Sequence, residues 1–140
     1  VGKGEAARLW TLPGLPMGVA VIDGCDTAEI AGVFDALYAV LPLPAEGEEP
    51  MMNVLCYAPE GAPEGMVRLV VIPRKQHRPS FYGTEGDDCW LISPASVDMG
   101  GVFITPREED FRRITPEILE KILGEVCYSA SEVDNIIEKL

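Results

Sequence analysis

The period of the hydrophobic positions changes along this chain, and each change marks an element. From Met17 to Ile22 apolar residues run almost unbroken between Leu12-Pro13-Gly14-Leu15-Pro16 and Asp23-Gly24, which predicts a buried strand after an extended entry and turn over 1–16. The period then becomes helical. Ile30, Val33, Phe34, Leu37, Tyr38 and Leu41 follow i, i+3, i+4, i+7 spacing, Asp26 with Glu29 reads as a capping box, and Pro42 and Pro44 end the pattern. A helix is expected over 27–41. Beyond an acidic, proline-bearing loop over 43–50, two apolar runs, Met51 to Tyr57 and Met66 to Ile72, flank Ala58-Pro59-Glu60-Gly61-Ala62-Pro63-Glu64-Gly65 and predict a hairpin.

After a loop from Phe81 to Asp88, the runs Trp90 to Ser93 and Gly101 to Thr105 read as strands around a turn through Ser96-Val97-Asp98-Met99-Gly100. Start signals for helices follow. Thr105-Pro106-Arg107-Glu108 offers an N-cap, a proline at the first helical position and a capping glutamate. Thr115-Pro116 repeats the signal ahead of an apolar face of Ile118, Leu119, Ile122, Leu123 and Val126. Ser129 with Glu132 opens a last helix with Val133, Ile136, Ile137 and Leu140 on its buried side. The expected class is α+β, an antiparallel β-sheet with one helix preceding it and a C-terminal helical segment, in a single domain spanning 1–140.

Composition narrows the partners. At 140 residues and 47% hydrophobic content the chain can bury a core, and its apolar runs are too short or too broken to span a bilayer. With 11 basic against 23 acidic residues the net charge is −12, which repels nucleic acid and anionic membranes. Acidic clusters at Glu46-Gly47-Glu48-Glu49, Asp87-Asp88 and Glu108-Glu109-Asp110 read as solvated surface. Cys25, Cys56, Cys89 and Cys127 are widely spaced, so reduced, mostly buried thiols in a cytoplasmic protein are expected, with no metal and no cofactor. The opening Val1-Gly2-Lys3-Gly4-Glu5 lacks a starting methionine and reads as a cut from a longer chain.

Candidate chemistry concentrates in Pro73-Arg74-Lys75-Gln76-His77-Arg78-Pro79. Guanidinium forks grip phosphate oxygens with paired bonds, lysine adds a point charge, and the flanking prolines lower the entropy lost on convergence. Arg74, Lys75, His77 and Arg78 are therefore the phosphate-binding candidates. The competing reading is a charged loop that keeps a strand end soluble and pairs with nearby carboxylates. His77 is the only histidine, so no histidine pair or triad can be completed within the chain and no catalytic residue is predicted. Ser93-Pro94-Ala95-Ser96 lacks a nucleophile elbow, and Ser96 and Asp98 read as turn residues, with Gly100-Gly101 free to take positive φ. No Gly-rich mononucleotide or dinucleotide loop is present.

Three stretches together resemble a known group: Met52-Asn53-Val54-Leu55, then Val67 to Arg74, then Val97-Asp98-Met99-Gly100-Gly101-Val102-Phe103-Ile104-Thr105-Pro106-Arg107-Glu108-Glu109-Asp110-Phe111. They are similar to the C-terminal part of GDP-hexose phosphorylases, more distantly to diadenosine tetraphosphate phosphorylases, and most of all to a bacterial family of this type common in Bacteroidetes. The wider superfamily holds the histidine-triad proteins and galactose-1-phosphate uridylyltransferase, which attack an α-phosphate with a histidine of a His-x-His-x-His or His-x-His-x-Gln motif. The resemblance implies a histidine-triad-like half of a nucleotidyltransferase or nucleotide-sugar phosphorylase. Such a half supplies phosphate-binding or scaffold surface, and the nucleophile lies in the N-terminal half of the same protein. A nucleotide or nucleotide-sugar is then the expected ligand, and a sheet edge left open would promote homodimers. The rivals are a non-catalytic structural or interaction domain and a regulatory nucleotide-binding module that has lost the reaction.

Overall fold

The computed structural model describes residues 2, 4–45, 47–86 and 89–140, so Glu46, the Asp87-Asp88 pair, Val1 and Lys3 of the readings above lie outside the described residues. Four strands, β1 (Arg8–Thr11), β2 (Ala20–Gly24), β3 (Met52–Tyr57) and β4 (Val67–Pro73), form one antiparallel sheet in the order β1-β2-β4-β3. The helices are α1 (Thr27–Val40), α2 (Ser96–Met99), α3 (Glu108–Arg113), α4 (Pro116–Val126) and α5 (Ala130–Ile137). The α+β expectation holds, with α1 inserted between the second and third strands. None of the helices described is long and apolar enough to cross a membrane.

Strand alternation explains how the sheet is covered, because successive side chains point to opposite faces. Val21, Val70 and Ile72 face one way and pack in a cluster with Met99 of α2 and Leu123 and Val126 of α4. Ala20, Ile22 and Val71 face the other way, into a cluster with Ile30 and Leu37 of α1 and Val133 and Ile136 of α5. Helices thus lie on both faces, and this is why β2 reads as an unbroken apolar run. Gly18, just before β2, lets the chain abut the C-terminal segment. A Cβ there would lie 2.4 Å from the Ser129 carbonyl oxygen, and the Gly18 N–H donates to Tyr128 O at 2.7 Å.

Several local readings change. The entry segment contains β1, whose four residues are too few to show a period beside Pro13. Asp26 caps α1, accepting from the Ala28 and Glu29 amides. The Glu29 carboxylate turns away and accepts from Ala7 N, so no reciprocal box forms. Residues 90–93 and 101–105 form no strands beyond a single Tyr82–Trp90 bridge, and Ser96–Met99 is helical. Two buried carboxylates organise them in place of a ladder. Asp98 accepts from Ala95 N at 2.8 Å and Ile104 N at 3.1 Å, and Asp110 accepts from Leu91 N at 3.1 Å. The cap of α3 is Arg107, not Thr105, whereas Thr115 and Ser129 cap α4 and α5 as their motifs predict.

Candidate functional site

The sheet decides which basic residues can meet. β4 continues past Pro73 as a bridge between Arg74 and Cys127, so Arg74 stays in extended register, on the same face as Val70 and Ile72. Lys75, one residue on, points to the other face. There its Nζ lies 2.8 Å from a Glu132 carboxylate oxygen and 5.4 Å from the Tyr128 ring centroid. Arg78 stacks over Tyr82, its guanidinium carbon 4.4 Å from the ring centroid. The expected set of four therefore does not converge. Only Arg74 and His77 line one cavity, of about 330 Å³.

Arg74 lies in the wall of that cavity and is 6% exposed. Its Nη1 donates to Asn53 Oδ1 at 3.1 Å and Pro94 O at 2.7 Å, and its Nη2 donates to His77 O at 2.7 Å. The Nε is buried without an acceptor among the described residues. No carboxylate among them lies within ion-pair distance of the guanidinium. Burial lowers the Arg74 pKa, opposed by the more distant charge of Asp98, and an arginine keeps its proton at any physiological pH. A positive charge is thus held in a buried position, and its hydrogen-bond acceptors among the described residues are all neutral.

The other walls are built to hold shape. Asn53, on β3 opposite Ile72, has its amide oriented by the Arg74 donors, and its Nδ2 donates to Ser96 Oγ at 3.2 Å. The His77 loop is pinned from several sides. Lys75 N donates to Val126 O at 2.9 Å, the Gln76 amide bridges Arg78 O and the Glu125 carboxylate, and Ser80 N donates to the same carboxylate at 2.7 Å. Those bonds lower the Glu125 pKa against the opposing effect of burial. The His77 backbone is fixed while its side chain stays exposed at the cavity. Opposite stand Ser93, Pro94 and Ala95, whose strand-like path is anchored through Asp110.

Asp110 is fully buried and bonds Arg107 through Nε and Nη2, each at 2.9 Å, and Arg113 through Nη2 at 2.8 Å. Burial pushes its pKa up, but the two arginines and the Leu91 amide outweigh it and bring the value down to about 2. The Glu108-Glu109-Asp110 cluster is therefore not all solvated surface. Arg107 and Arg113 both donate to the Cys89 carbonyl, and Arg113 stacks 3.9 Å from the Trp90 ring centroid.

Two further hollows adjoin the Arg74 cavity. One of about 570 Å³ shares Met51 with it and is lined by Pro44, Gly47, Glu48 and Glu49. The other, of about 350 Å³, shares Ser93 and Ala95 and is lined by Tyr82, Leu91, Asp98, Ile104 and Pro106. The hollow that holds Arg74 and His77 is thus flanked by one bearing Glu48 and Glu49 and by one bearing aromatic and aliphatic side chains with Asp98. Asn53, Met51 and Met52 were missed by sequence reasoning. The one available signal was an asparagine interrupting an apolar strand.

Of the four cysteines only Cys127 is buried, its thiol pushed up to about 11 by burial; Cys25 and Cys89 are partly exposed and Cys56 is exposed. No three His, Cys, Asp or Glu among the described residues cluster as metal ligands would. Compared with protein-family models, curated proteins and solved structures, the chain finds no match.

Proposed function

We propose that this chain is the phosphate-binding, non-nucleophilic domain of a nucleotidyltransferase or nucleotide-sugar phosphorylase, with the N-terminal half of the same protein supplying the nucleophile. The observation that carries this reading is the buried Arg74 guanidinium, which among the described residues has no carboxylate within ion-pair distance and an Nε without an acceptor. A buried cation without a counter-charge costs several kcal/mol unless an anion joins it. Oxygens of a phosphate or pyrophosphate are the acceptors that suit it, with His77 and Ser93 beside it as further hydrogen-bonding groups. The adjoining hollows support a long ligand with an anionic middle. Glu48 and Glu49 would accept from sugar hydroxyls, and Tyr82, Leu91 and Ile104 would lie against a base. With His77 as the sole histidine, a nucleotidyl-histidine relay needs a second histidine from outside this sequence.

One observation favours the purely structural alternative. Arg74 ties together three separate segments through Asn53, His77 and Pro94, as a staple would. Calorimetric titration separates the two readings. Nucleoside diphosphate sugars should bind saturably, pyrophosphate should compete, and His77→Ala should weaken binding while Arg78→Ala leaves it unchanged. No heat with any of these ligands at millimolar concentration leaves the staple alone.

A further inference from the structure

Arg74 departs from the pattern of four other arginines in this chain. Arg68 turns its Nε and Nη2 onto Asp23 at 2.6 and 2.8 Å, and Arg107 turns the same two nitrogens onto Asp110 at 2.9 Å each. Arg112 does so with Glu108 and Arg113 with Asp110. Those four side chains keep between 26% and 76% of their surface exposed. Arg74 is far more buried, yet its Nη1 and Nη2 meet one side-chain amide and two backbone carbonyls, and its Nε has no acceptor among the described residues. A buried charge is least stable when its partner is missing.

Asn53 stands where such a partner would fit. Its Oδ1 accepts from Arg74 Nη1 at 3.1 Å and its Nδ2 donates to Ser96 Oγ at 3.2 Å. An aspartate has the same shape, and both neighbours could serve it, because Arg74 already donates and a serine hydroxyl can turn to donate instead of accepting. Asn53 is only half-buried, so a carboxylate there would keep part of its hydration. The amide is therefore dictated neither by space nor by hydrogen bonding. Asp98, whose charge acts on Arg74 from farther off, is committed to the Ala95 and Ile104 amides.

We propose that Asn53 sets the charge preference of the Arg74 cavity. By presenting a neutral amide where a carboxylate would fit, it leaves the guanidinium charge to be met by an anionic ligand, and the fold forgoes the stability that an internal ion pair would add. An aspartate at the same place would cancel that charge and set one negative group against another when a phosphate enters. The cavity would then favour neutral ligands. This inference rests on the phosphate reading above and adds to it the residue that discriminates anionic from neutral ligands.

Thermal melting without ligand and calorimetric titration with inorganic pyrophosphate, on the whole chain and its Asn53→Asp and Asn53→Ala variants, test it. Asn53→Asp should melt at least about 3 °C above the wild type and bind pyrophosphate at least about tenfold more weakly. Asn53→Ala removes the acceptor without adding charge, so it should melt below the wild type and still bind pyrophosphate at least about threefold more tightly than Asn53→Asp. A purely structural asparagine would give the opposite pattern, with both variants destabilised and the alanine variant the weaker binder. An aspartate variant that melts no higher than the wild type, or fails to fold, overturns the proposal. So does one that binds pyrophosphate as tightly as a wild type that binds it, and in that case the phosphate reading itself stands. No heat from the wild type at millimolar pyrophosphate removes the phosphate reading, and this inference with it.

Discussion

Removing the carboxylate of Asp110 should unfasten the whole wall that faces Arg74. In Asp110→Ala the Leu91 amide loses its acceptor, and Arg107 and Arg113 lose the buried carboxylate they share, while Arg107 keeps its ion pair with Glu109. Breaking a buried pair costs about 3–5 kcal/mol. The arginine side chains are 32% and 33% exposed and water can solvate them in part, so the lower end, about 3 kcal/mol, is expected. For a chain of 140 residues an unfolding entropy of about 2.1 cal/mol/K per residue converts this to a fall in Tm of about 10 °C. The acid limb supplies an independent check. The folded pKa of about 2 lies below the ordinary 3.8, so the stabilisation is complete above the unfolded value and is lost as pH falls toward 2, a difference of about 2.4 kcal/mol. The gap between wild type and Asp110→Asn in urea unfolding should therefore narrow between pH 5 and pH 2. Trp90 fluorescence, sensitive to the stacked Arg113, reports the local change. A loss under about 1 kcal/mol for Asp110→Ala, or a gap that does not change with pH, refutes the role assigned to this carboxylate.

Other substitutions probe different parts of the molecule. Arg74→Met leaves Asn53 Oδ1, Pro94 O and His77 O without their donor but also removes a buried charge, so a modest loss of about 1–2 kcal/mol is expected in urea unfolding. The same variant should lose at least about tenfold in affinity for nucleoside diphosphate sugars, the value of one charge-assisted contact. Gly18→Ala forces a methyl against Ser129 O and should cost about 1–3 kcal/mol by thermal melting. Cys127 should stay unreacted with a thiol reagent at pH 8 in the native protein, because burial both covers it and pushes its pKa to about 11, and should react once urea unfolds the chain.

The elements readable in advance are those whose local signals agree with their tertiary surroundings. Thr115-Pro116 and Ser129 with Glu132 announce α4 and α5 because their caps are satisfied within a few residues, and the β3–β4 hairpin shows as two apolar runs around a proline-rich break. The stretch from Trp90 to Thr105 misleads for the opposite reason. Its apolar residues suggest strands, yet its backbone is held by Asp98 and by Asp110, the latter supplied from another helix. No propensity carries that information. The site was half legible. Arg74 and His77 stand out as basic residues near prolines, but strand alternation, which sends Lys75 to the opposite face, follows only from the register of β4. Asn53 could not be linked to Arg74 by spacing, since their bond joins neighbouring strands across a hairpin.

The end of β4 is fastened to the junction between α4 and α5, with Tyr128 N donating to Pro73 O and the Lys75 and Gln76 amides sharing Val126 O. During translation the strand thus leaves the ribosome well before the residues that clasp it. The His77 loop must wait, unshaped, until almost all of this sequence has been synthesised. A chain stalled ahead of Val126 would display the sheet with its cationic corner still open, a partly made product that proteolytic quality control could tell from a finished one.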